Sequence, residues 1–137
     1  MSDRSFDIIL NDVRMSISGG VGLRFPPVLS HAIGDESLGL VFDIQPDLDW
    51  FRGHFPGHPV LPGIVQLHWA VAVAAAYFEI PEVPAEVLRL KFKSIVVPPC
   101  TVELTLARPA PTDVQFEYTG SERQYSQGRL RFNRSSQ

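Results

Sequence analysis

Cysteine is almost missing from this chain: Cys100 is the only one in 137 residues. One thiol cannot build an internal disulfide framework, which suits a reducing, cytoplasmic setting. Placed after Pro98-Pro99, where a turn is expected, it reads as structural rather than nucleophilic. Charge of one sign is also scarce. Twelve Lys and Arg against fifteen Asp and Glu leave a formal net charge of −3, which argues against nucleic-acid binding as a main role. Long apolar runs are lacking too. The longest, Ile64 to Phe78, is interrupted by Gln66 and His68 and is shorter than the ~20 residues of a bilayer-spanning helix. No signal peptide is expected, because residues 1–6 mix acidic and basic side chains. Without repeats, a linker or low-complexity stretches, residues 1–137 are expected to form one domain, with 1–27 as an N-terminal extension that the pattern leaves unassigned.

Against these absences, one segment is dense in information. Gly53-His54-Phe55-Pro56-Gly57-His58-Pro59-Val60-Leu61-Pro62-Gly63 holds three prolines and three glycines, so most of its backbone is restricted to a shaped loop. It leads into the apolar stretch 64–78, which is apolar on nearly every face and reads as a helix enclosed by other structure. Five alanines between Ala70 and Ala76 make that helix slim. A helix start presents backbone N–H groups with no intrahelical acceptor, and an imidazole carries protons near neutral pH. His54 followed by a helix opening at Pro62-Gly63 is therefore an arrangement for holding a reactive carbonyl. A metal site is not expected. His54 and His58 are four apart, but Pro56 and Pro59 forbid the helix that would align them, and the loop supplies no Asp, Glu or Cys. His58 reads as structural or rim-exposed, and His31 has no partner in sequence.

The rest of the chain alternates. Phe6 to Val13 is compatible with a short helix ended by Ser18-Gly19-Gly20, and Val28 to Ile33 and Leu38 to Ile44 read as strands. Beyond the central helix, Leu88, Leu90 and Phe92 alternate with Arg89, Lys91 and Lys93. Val102, Leu104 and Leu106 alternate with polar residues in 101–106, as do Val114, Phe116 and Tyr118 in 114–119. In Tyr125 to Phe132 the phase slips near Gly128, which suggests a bulge there. One buried helix followed by antiparallel strands gives an α+β domain with a single sheet curled around the helix. Arg89, Lys91 and Lys93 suit either a solvated sheet face or contact with an acidic protein.

The loop GHFPGHPVLPG with the apolar helix after it resembles the 3-hydroxyacyl-(acyl carrier protein) dehydratases of fatty-acid synthesis. Phe92-Lys93-Ser94-Ile95-Val96-Val97-Pro98-Pro99 and Tyr125-Ser126-Gln127-Gly128-Arg129-Leu130-Arg131-Phe132 are similar to that family's later strands, so the likeness spans roughly residues 38–133. It implies the hot-dog fold, a curved antiparallel sheet wrapped around one long central helix. It also implies a substrate carried on the phosphopantetheine of an acyl carrier protein, no further cofactor, and a homodimer with composite sites. In such dehydratases the loop His works with an Asp or Glu fourteen residues further on; here that position is His68. The neighbourhood Gln66-Leu67-His68-Trp69 resembles divergent dehydratase-like proteins of aryl-polyene and related polyketide-type clusters.

Carried over position by position, the resemblance makes His54 the base and the N–H of Gly63 the donor to the thioester oxygen. His68 takes the place of the acid, since a neutral imidazole both donates and accepts. Phe55, Pro62, Ile64 and Trp69 are expected to line the substrate. Two other readings stand beside this one. A thioesterase on the same fold would need an Asp or Glu to activate water, and the helix carries neither. A catalytically silent acyl-carrier-binding subunit would explain the missing carboxylate but not the intact His54 loop.

Overall fold

The computed structural model describes residues 6–18, 25–46, 60–80 and 83–133; His54, Phe55 and His58 lie outside the described residues. Helix α1 (Phe6–Ser18) precedes strands β1 (Val28–Gly34) and β2 (Ser37–Ile44). Helix α2 (Gly63–Phe78) follows, then β3 (Glu86–Phe92), β4 (Cys100–Ala110), β5 (Asp113–Thr119) and β6 (Gln124–Arg131). The strands form one sheet in the order β1-β2-β4-β5-β6-β3, with every pair antiparallel.

Period-2 sequence makes this sheet one-sided. In β2, Leu38, Leu40, Phe42 and Ile44 are buried between partly exposed neighbours, and β4 and β5 bury Val102, Leu104, Leu106, Val114, Phe116 and Tyr118. Cross-strand registers join these into rows. One row runs Leu40–Leu104–Tyr118–Ser126–Phe92 across β2, β4, β5, β6 and β3. The inner face meets α2, whose Val65, Trp69, Ala70, Val73, Ala74 and Tyr77 belong to the same buried cluster. Helix α1 packs against α2; Ile9 and Val13, one turn apart, are its buried contacts, and the Phe6 ring stacks on His31 at 3.9 Å between centroids. His31 thereby has a structural place that its sequence context does not reveal.

Two sequence expectations are corrected. The extra residue in β6 is Tyr125, since Tyr118 pairs with Ser126 but Thr119 with Gln124, whereas Gly128 sits in regular register opposite Phe116. Gly128 is needed for close approach: a Cβ there would lie 2.7 Å from Phe116 Cε2 and 3.3 Å from Leu90 Cδ1. The second correction concerns β3, which does not alternate as Leu88/Leu90/Phe92. Its register shifts between Leu88 and Lys91, and Arg89 takes a left-handed φ of 53°. The bulge changes the face. Val87 pairs with buried Leu130 while Leu88 pairs with Arg129, so before the bulge Val87 shares the sheet face of Leu130, although it is itself exposed at this edge.

Candidate active site

Helix α2 begins without a side-chain cap. Pro62 occupies the N-cap position with φ −62° and ψ 146°, and no acidic residue lies in the first turn. The Pro62 carbonyl accepts from Val65 N–H at 3.1 Å and Gln66 N–H at 3.2 Å. Pro62 itself has no N–H. Gly63 and Ile64 are thus left with N–H groups that find no acceptor among the described residues, at the positive end of the helix dipole. Sequence reasoning named only the first of these two amides as a donor. Gly63 is close to the sheet edge as well as conformationally free: an added Cβ would stand 2.5 Å from Phe92 Cε1.

The start of α2 is fastened to the sheet by buried polar contacts. Gln66 is 2% exposed. Its Nε2 donates to the Leu61 carbonyl at 3.2 Å, and its Oε1 accepts from Ser126 Oγ at 2.6 Å. Tyr118 Oη donates to the Gln66 carbonyl at 2.8 Å. Burial pushes the Tyr118 phenol well above its ordinary pKa, which keeps the donor protonated. Leu61 also pairs with Val96, donating its N–H to the Val96 carbonyl at 2.9 Å. Gln66 was noted in sequence only as an interruption of an apolar run; its Tyr118 and Ser126 partners lie 52 and 60 residues away.

His68 stands on the side of α2 that neither sheet nor α1 fully covers. Ile64, Leu67, His68 and Val71 follow i, i+3, i+4, i+7 and form the exposed and half-buried stripe, while Val65, Gln66, Trp69, Ala70, Ala72 and Val73 are buried. The His68 Nε2 atom is buried and has no hydrogen-bond partner among the described residues. Of the residues expected to line substrate, Ile64 is 70% exposed and Pro62 half-buried. Trp69 is fully enclosed, edge-on to Phe42 and Phe25 with centroids 5.9 Å from each, so it belongs to the core of this chain.

The other sequence candidates lie elsewhere. Cys100 opens β4 opposite Ile44, and burial, with the charge of Asp43, pushes its thiol up, which disfavours the reactive thiolate. Lys91 pairs with Gln127, which lines the same outer hollow as Arg89, so these basic residues border the outer side of the sheet. Arg89 borders a hollow of about 280 Å³ on the outer side of the sheet, shared with Gln115, Glu117, Gln127 and Arg129, whereas Lys93 Nζ donates to Gln124 Oε1 at 2.7 Å. That hollow is separated from His68 by the sheet. No group of three His, Cys, Asp or Glu among the described residues is arranged to hold a metal ion.

Known proteins are similar to this chain in sequence and fold. A 3-hydroxyacyl-[acyl-carrier-protein] dehydratase FabZ of Erythrobacter litoralis (strain HTCC2594) is 30% identical over 95 residues, covering 59% of this chain and 62% of that protein. The match thus spans less than two thirds of the curated relative. The solved dehydratase heterocomplex ApeI:P from Xenorhabdus doucetiae superposes with a TM-score of 0.69 at 25% identity, over 80% of this chain and 99% of that one. A dehydratase domain of a mycocerosic acid synthase-like polyketide synthase gives 0.60 at 21% identity, over 82% of this chain and 42% of its own; it shares the hot-dog fold. The sequence profile of the ApeI-like family, ApeI dehydratase, matches residues 30–129. That segment runs from β1 into β6 and contains both the amides that open α2 and the His68 stripe, so the chain belongs to the ApeI-like dehydratase family.

Proposed function

We propose that this chain is a lyase that removes water from a 3-hydroxyacyl thioester carried on an acyl carrier protein, giving the trans-2-enoyl thioester. The supporting observation is the pairing of two N–H groups, at Gly63 and Ile64, with the buried Nε2 of His68 further along the same helix, none of which has a hydrogen-bond partner among the described residues. Amides at a helix start favour the oxygen on which charge develops when the proton next to a thioester carbonyl is removed. In the proposed reaction, His54 takes that proton, the thioester oxygen becomes an enolate held by the amides, and His68 protonates the 3-hydroxyl as its C–O bond breaks. Water leaves, the double bond forms, and the atoms balance without an oxidant, a reductant or a bound cofactor. The role of His54 rests on the loop motif, and that of His68 on its position fourteen residues further along.

A homodimer with composite sites is part of the proposal. Strand β3 ends the sheet, so no strand among the described residues lies beside its outer edge. Val87, Leu90, Phe92, Ile95 and Val97 are exposed along and just beyond it, the kind of edge that a second chain covers. A cytoplasmic location is also proposed, on the strength of the lone thiol; none of the described helices is long and apolar enough to cross a membrane.

Mass spectrometry of a 3-hydroxyacyl-carrier thioester incubated with the protein tests the reaction. Loss of one water, absent with His54→Ala, is the expected result. Release of the free acid would replace the proposal with a thioesterase. An unchanged substrate across several chain lengths would leave a silent acyl-carrier-binding subunit, the reading that the missing helix carboxylate favours. His68→Glu should retain turnover if position 68 acts as the acid; a loss as severe as that of His68→Ala would show that the imidazole itself is needed.

A further inference from the structure

Gln66 has no part in the reaction as written, yet it is an amide side chain almost wholly enclosed in an apolar core. Burying an amide is unfavourable unless its hydrogen bonds are made. Here each end makes one: Oε1 takes the Ser126 hydroxyl from β6, and Nε2 reaches back to the Leu61 carbonyl. Helical side chains lean toward the helix N-terminus, which is why position 66 can reach the residue before Pro62.

That reach bears on the direction of the Gly63 N–H. The peptide plane before Pro62 contains the Leu61 carbonyl, held by Gln66. The Pro62 ring then restricts φ, and the Pro62 carbonyl is held by Val65 and Gln66 N–H. In a trans peptide, C=O and N–H point in opposite directions, so holding the Pro62 carbonyl toward the helix aims the Gly63 N–H out of it. Among the described residues, the Leu61 carbonyl is the one point in this sequence of constraints fixed by a side chain. Tyr118, donating to the Gln66 carbonyl, fastens the same residue to β5.

We infer that Gln66 is a positioning residue, which couples Ser126 on the sheet to the Leu61 carbonyl and so sets the orientation of the Gly63 N–H toward a bound acyl oxygen. This rests on the dehydratase reading for its consequence in turnover, though not for its consequence in backbone geometry.

The full-length chain carrying Gln66→Met, which keeps the length and removes both hydrogen bonds, provides the test. Four quantities are measured well below the unfolding temperature: the ¹⁵N–¹H shift and exchange rate of the Gly63 amide, and kcat and KM on a short 3-hydroxyacyl pantetheine thioester. The Gly63 amide should shift and exchange faster. The kcat should fall about ten-fold or more with KM nearly unchanged, as expected when a donor acting on developing charge is misaimed. A folded Gln66→Met protein with an unaltered Gly63 amide and unaltered kcat would overturn the inference and reduce Gln66 to a core residue. Should Gln66→Met not fold, Ser126→Ala, which removes one of the two bonds, is read by the same measurements. If the wild-type chain does not dehydrate the thioester, the dehydratase reading fails by itself, and the Gly63 amide still decides the role of Gln66.

Discussion

At position 68 an imidazole keeps one nitrogen inside the protein with no partner among the described residues. A buried polar atom left without a hydrogen bond costs about 1–3 kcal/mol. His68→Leu should therefore raise the thermal midpoint while turnover of the thioester falls; a lowered midpoint in a calorimetric scan would mean that Nε2 is satisfied. Gly128 gives the opposite case. Because a Cβ there would meet the Phe116 ring at 2.7 Å, Gly128→Ala should destabilise the fold by about 1–3 kcal/mol through overpacking, measured by urea unfolding. Both residues are conspicuous in the sequence, but with unequal information. Fourteen residues after His54, His68 is flagged by motif and spacing. Gly128 shows only that something there excludes a side chain, and a glycine at a phase slip looks the same whether it serves a bulge or a neighbouring ring. Gln66 shows less still, since one polar residue in an apolar run carries no sign of partners on β5 and β6.

Among the elements, β2, β4 and β5 were legible because their burial follows strict alternation, and α2 because its apolar length is bounded by Pro62 and Pro81. The bulge in β3 was not. It places Arg89 in the left-handed region, where a glycine or asparagine would have been a signal and arginine is none. Strand β4 also runs on to Ala110 through Pro109, beyond the expected end at Leu106, with a register shift between Ala107 and Ala110 that accommodates the proline. Helix α2 is fastened at both ends by tyrosines from different directions. Tyr118 bonds the Gln66 carbonyl near its start, and Tyr77, near its end, donates to the Ser37 carbonyl at 2.9 Å. Removing either hydroxyl should lower stability by about 1 kcal/mol. Tyr118→Phe should also reduce kcat, whereas Tyr77→Phe should leave it unchanged; equal effects on kcat would remove the distinction between the two ends.

For the whole molecule, the pattern of helix and strands gave the α+β class, but not the strand order. Nothing in periodicity places β3 beside β6 rather than beside β4; only the structure supplies that pairing. The resulting free edge predicts a sedimenting dimer at micromolar concentration, and Leu90→Lys should shift it toward monomer; a wild-type monomer would make a composite site untenable. At the other side of the sheet, Asp113 is buried and accepts from Arg131, Arg129 and Thr112. The Arg131 hydrogen bond, opposed by burial and aided by Arg129, lowers its pKa from 3.8 to about 2. A depressed carboxyl pKa contributes stability that is present above pH ~4 and lost as pH falls toward ~2. Because Arg131 is half exposed, the contribution is about 1–2 kcal/mol after screening. Acid unfolding of the wild type should therefore be steeper between those values than that of Asp113→Asn; parallel curves would assign the acid limb to other carboxyls.

Between its two tyrosine-fastened ends, α2 passes through the core on Ala70, Ala72, Ala74 and Ala75. Methyl groups make no directional bonds, so changes of volume along this stretch alter how closely the sheet approaches without untying either end. The helix is thus divided into parts with different mutational tolerance. Its first turn is constrained by orientation, while its middle is constrained only by space, so changes of volume in the middle leave the hydrogen bonds of the first turn in place.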